Sequence, residues 1–126
     1  MLLHEELLTP EFRIRGTKAL LGHDLLEDTT LTPGELPDWC REDDVLPLIQ
    51  GMTFLKGEDP FVEVWKRGMS VILLKLYDCT DNLMNVPTFS QEKQEARKAH
   101  VRDIIHCVRR QYGELYVICF AEALLK

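Results

Sequence analysis

The sequence predicts an all-α protein, a compact bundle of about five or six helices with a long acidic loop. Three observations carry this. Apolar residues recur at steps of three and four through long stretches. Helix start and stop residues bracket those stretches. Proline, glycine and small polar residues gather between them. At 126 residues the chain reads most simply as one domain spanning 1–126.

Met1–Leu8 is a short amphipathic piece, with Leu2, Leu3, Leu7 and Leu8 set against Glu5 and Glu6. Thr9-Pro10-Glu11 then supplies a cap and a first-turn proline. A helix is expected from Pro10 towards Leu26, using Phe12, Ile14, Leu21 and Leu25, with Gly16 and Gly22 as interruptions. Phe12–Arg15 also alternates apolar and basic residues, which suits a short strand.

The texture changes between Glu27 and Asp44. Threonines, Pro33, Gly34 and Pro37 make this mostly loop, with one turn of helix at the capping box Thr32-Pro33-Gly34-Glu35. Between Asp24 and Asp44 eight acids face one base, Arg41, a net of −7 in a chain whose formal charge is −6. Asp43 or Asp44 is placed to cap a helix through Val45, Leu46, Leu48 and Ile49, ending near Gly51.

Pro60–Cys79 reads as the central helix. Asp59 caps it, Pro60 fits its first turn, and Phe61, Trp65, Met69, Ile72 and Leu76 keep the helical step. Beyond Ser70 it is apolar on almost every side, the signature of a rod buried all round. A buried strand over Met69–Tyr77 is the competing reading. Gly68 weakens a helix by about 1 kcal/mol relative to alanine, and its lack of a side chain suits the close approach of a neighbour.

After Cys79, residues 80–90 read as a connector. Thr88 or Ser90 caps a helix over Gln91–Tyr112 with the stripe Val101, Ile104, Ile105, Val108 and Tyr112. Glu92 and Glu95 stand near its start and Arg109 and Arg110 near its end, as the helix dipole favours. Gly113 ends it. Glu114–Lys126 is a final helix in which Leu115, Tyr116, Cys119 and Ala123 hold the step, although Tyr116–Phe120 suits a strand in isolation.

The chemistry is sparse. MLLHEELLTP has acids where a secretory signal needs an apolar core, and no run is long enough to span a membrane. Cys40, Cys79, Cys107 and Cys119 are scattered, as reduced cysteines of an intracellular chain would be. His100, Asp103 and Cys107 share a helix face, but no fourth ligand or ligand-spacing motif accompanies them, so no metal and no cofactor is expected. Cys40 lies among acids, which disfavours an activated thiolate. Acidity overall, and acids interrupting the basic helix, argue against nucleic-acid binding.

These readings lead to a non-enzymatic protein–protein interaction module inside the cell: an adaptor, scaffold subunit or regulator, in the cytoplasm or nucleus. Its expected contact residues are Leu36, Trp39, Asp43 and Asp44 in the acidic loop and Arg102, Arg109 and Arg110 on the basic helix. The partner is a protein, with a homodimer joined by loop and helix as one form. A small enzyme with a site assembled from distant residues, or a helical nucleic-acid-binding domain, is the alternative.

Overall fold

A computed structural model describes residues 1–84 and 90–126. Among them there is no strand. Six α-helices run in order among the described residues: α1 (Pro10–Asp28), α2 (Leu46–Gly51), α3 (Pro60–Glu63), α4 (Met69–Met84), α5 (Gln91–Tyr112) and α6 (Tyr116–Leu124). Short 3-10 turns occur at Leu2–His4, Pro33–Glu35, Asp38–Cys40 and Val64–Lys66. The all-α expectation holds, and none of the three strand alternatives does.

The bundle is organised around α4. Every residue from Val71 to Tyr77 is buried, and α1, α2, α5 and α6 all pack on this helix. That is the arrangement an all-round apolar sequence demands.

The central helix is shorter at its start than expected. Helical backbone from Pro60 stops at Lys66, and Gly68 takes φ +95° before α4 begins. Arg67 sits in this break. Its Nη1 donates to the carbonyls of Gly51 (3.1 Å) and Thr53 (3.0 Å), and its guanidinium lies 4.7 Å from the centre of the Phe54 ring. Gly51 is the last residue of α2 and Thr53 lies just beyond it, where backbone acceptors lack helical partners. Nothing lies within 4 Å of a Cβ built on Gly68, so this glycine serves backbone conformation and not the close approach of a helix. At its other end α4 runs five residues past Cys79, into the expected connector, with the Thr80 hydroxyl donating back to the Leu76 carbonyl at 2.7 Å.

Helix α1 buries a different face from the expected one. Gly16, Ala19, Gly22 and His23 face inward with Phe12, while Ile14 and Leu21 are exposed. The two glycines do not interrupt the helix. A Cβ on Gly22 would sit 2.5 Å from Ile49 Cδ1, and one on Gly16 would sit 2.9 Å from Leu2 Cδ2. Absence of a side chain is what lets these neighbours close in.

Caps follow the sequence in part. Thr9, Asp59 and Ser90 accept from the amides of Phe12, Phe61 and Lys93. Thr88 lies outside the described residues. Glu35 accepts from the Thr32 amide at 3.2 Å, completing the expected turn. Asp43 and Asp44 cap nothing, because α2 starts from Val45 without a side-chain cap. Nor does the acidic stretch stand off the bundle, since Leu36, Cys40 and Val45 anchor it in the core.

The N-terminal piece departs furthest. Leu2 and Leu8 are buried as expected, but so is Glu5, while Leu3 and Leu7 are exposed. The Glu5 carboxylate caps α6, accepting from the amides of Tyr116 (2.9 Å) and Val117 (2.7 Å). No helix among the described residues is long and apolar enough to cross a membrane.

Candidate docking surface

The residues singled out in the sequence divide into two groups that do not meet. Leu36, Trp39, Asp43 and Asp44 belong to the segment against α1, while Arg102, Arg109 and Arg110 lie on α5.

In the first group Leu36 is withdrawn from the surface. It is 2% exposed and part of the core, so it offers nothing to a partner. Trp39 is half-buried and forms one wall of an apolar groove with Leu21 and Leu25, edged by Asp24 and Asp28. Asp43 and Asp44 are exposed and do not line that groove. Their neighbour Glu42 pairs with Lys18 at 3.0 Å and ties the segment to α1.

The second group sits better for contact. Arg102 and Arg110 are exposed and Arg109 is half-buried. Arg109 is committed locally, with Nη2 2.7 Å from Glu122 and Nε bonded to Glu114, so it clamps α5 to α6. Arg102 makes no ion pair among the described residues. Arg102, His106, Arg109 and Lys126 rim a groove of about 440 Å³ between the two helices, over Ile105 and Leu125.

Helix α6 extends this surface. Its inward residues are Val117, Ile118 and Ala121. Tyr116, Cys119, Phe120 and Ala123, three of them expected to lie in the core stripe, face outward, with Tyr116 56% and Phe120 43% exposed. Their spacing puts them on one side of the helix, a turn from the groove residues Glu122 and Lys126. Two facing residues of the groove, His106 and Lys126, were missed in the sequence, because neither belongs to a charge run.

The possible centres of chemistry resolve as follows. His100 stacks on Phe61 with ring centres 4.5 Å apart and Cys107 Sγ lies 3.7 Å from Met69 Sδ, so these two residues of the expected face are used for packing, while Asp103 is exposed. Burial, then Glu42, raises the pKa of the Cys40 thiol, as its acidic surroundings implied. Among the described residues the ligand atoms of His23, Asp24 and Glu27 come together. The His23 ring is buried, with Nε2 2.8 Å from Glu27 and Nδ1 3.5 Å from Asp24. Glu27 holds the ring through Nε2, while the buried Nδ1 has no hydrogen-bond partner among the described residues.

No known protein family, curated protein or solved structure matches this chain.

Proposed function

We propose that this chain is a non-enzymatic protein–protein interaction module that receives an acidic amphipathic helix of a partner protein on the outer side of α6. One observation carries the reading: α6 exposes an apolar row, Tyr116, Cys119, Phe120 and Ala123, beside a groove rimmed by Arg102, His106, Arg109 and Lys126. Exposed apolar rows next to polar rims mark contact surfaces. A helix laid in a groove reads such a row with residues at steps of three and four. Arg102 and Lys126 on the rim select acidic flanks on that helix and speed its capture, while Arg109 stays tied to Glu114 and Glu122. Four free cysteines suit a reducing compartment, which supports an intracellular setting.

Fluorescence anisotropy with two synthetic amphipathic helices tests this. Both carry the same apolar row, one flanked by glutamates and the other by lysines. The acidic helix is expected to bind saturably, to lose affinity about tenfold or more with Phe120→Asp, and to weaken with rising salt. Equal binding of both helices, or indifference to Phe120→Asp, refutes the reading. The acidic segment at Glu42–Asp44 raises self-pairing with the basic groove as a second form. Sedimentation at low and high salt decides it, since salt-independent self-association removes charge pairing.

A further inference from the structure

A cavity of about 210 Å³ lies between α4 and α5, lined by Phe61, Lys75, Asn82, Leu83, Arg97 and Val101. Its construction follows from helix geometry. Lys75, Asn82 and Leu83 come from one stripe of α4, and Arg97 and Val101 from one stripe of α5. Phe61 closes a third side and is held flat by its stack on His100, with the rings 7° from parallel.

Lys75 is the unusual member. It is 8% exposed, in a helix that is otherwise apolar along this stretch. Its ammonium donates to Asp78 at 3.0 Å and lies 5.5 Å from the Phe54 ring and 5.6 Å from the Phe61 ring. A buried ammonium is costly unless its surroundings compensate it. One carboxylate and two aromatic faces do so in part, and the cavity is the remaining side. Arg97 brings a second cationic group to the same wall.

We propose that this cavity binds a small monocarboxylate with a compact apolar body, a single-ring acid being the type. The carboxylate lies towards Arg97 and Lys75, whose N–H groups form charge-assisted hydrogen bonds with it. The ring lies along Phe61, Leu83 and Val101. Size and charge both narrow the class. The volume is below the roughly 300–1,000 Å³ of sites for drug-sized ligands. Asp59 lines the cavity and Asp78 holds Lys75, so these four charges sum to zero, and a single added negative charge costs less there than two. The site binds without covalent chemistry. Its one thiol, Cys79, is pushed up to about 11 by burial, against the opposing pull of Lys75 and Arg97, and stays protonated at neutral pH.

The test is titration of the intact protein with benzoate, followed by methyl resonances of Leu83 and Val101. Benzamide, which has the same ring without the charge, and inorganic phosphate are run beside it. Benzoate is expected to shift both methyls saturably by about 10 mM, while benzamide and phosphate bind at least about tenfold more weakly. Arg97→Met is expected to weaken benzoate about tenfold or more. Asn82→Trp, at an exposed lining position of α4, obstructs the cavity and abolishes the shifts while melting temperature guards against misfolding. No saturable shift with benzoate overturns the proposal. Equal binding of benzamide overturns the role of charge, and equal binding of phosphate overturns the monocarboxylate class. Benzoate shifts unchanged in folded Arg97→Met and Asn82→Trp overturn the location.

Discussion

The carboxylate of Glu5 accepts the amide hydrogen of Val117 at 2.7 Å, across 112 residues of chain. With the matching bond from Tyr116, it satisfies two of the amides that open α6, and does so with charge at the positive end of the helix. The Tyr77 hydroxyl is buried beside this carboxylate. Burial first, then the charge of Glu5, holds the phenol far above its ordinary range.

Glu5→Ala leaves two amides without acceptors inside the protein. The expected loss is about 2–4 kcal/mol of stability by urea denaturation. Glu5→Gln keeps one acceptor oxygen and is expected to lose about half as much. A Glu5→Ala protein as stable as wild type would show that water serves these amides equally well.

Gly22→Ala is expected to destabilise despite the better helix propensity of alanine. Its Cβ would meet Ile49 Cδ1 at 2.5 Å and Cys40 Sγ at 3.1 Å. Overpacking costs about 1–3 kcal/mol, against a propensity gain of about 1 kcal/mol at most. Gly34→Ala, which meets nothing within 4 Å, is the control and is expected to stay near neutral. A higher melting temperature for Gly22→Ala would mean that Ile49 yields freely.

The four thiols should separate by rate. Cys119 is exposed, Cys107 is half-buried, and Cys40 and Cys79 are buried. A thiol-reactive chromophore at pH 8 is expected to modify one cysteine rapidly, and Cys119→Ser to remove that fast phase. Cys79, raised to about 11, should react slowly, as long as the fold is intact. A fast phase that survives Cys119→Ser would contradict this order.

Asp24 supplies a pH dependence. Its pKa is raised above 3.8, first by burial and then by Asp78, Asp28 and Glu27, against the opposing pull of His23. A carboxyl that holds its proton more tightly in the folded state favours folding at low pH, and that contribution is lost as pH rises through the folded value. Asp24→Asn should therefore raise the melting temperature at pH 7, with the gain shrinking as pH falls towards 3.8. The side chain is 59% exposed, so the gain is expected to be only about a few tenths of a kcal/mol. A gain equally large at pH 3 and pH 7 would rule out the carboxyl as its source.

Sequence alone determined that this chain is helical, where most helices begin, and that its charge is segregated. Pattern and caps act within a few residues, so Thr9, Asp59, Ser90 and the stripe of α5 were all legible. The basic rim was half legible, through Arg102 and Arg109, because a run of cations on one helix is a local feature. Tertiary structure decided which face of a helix is inside when more than one is apolar. Helix α6 is greasy nearly all round, and only packing on α4 chose Val117, Ile118 and Ala121 over Tyr116, Cys119 and Ala123. It also set Arg67 against the end of α2 just before α4 begins, and put Glu5 in the core. Periodicity reports what a segment can bury, whereas burial itself depends on partners brought from far along the chain.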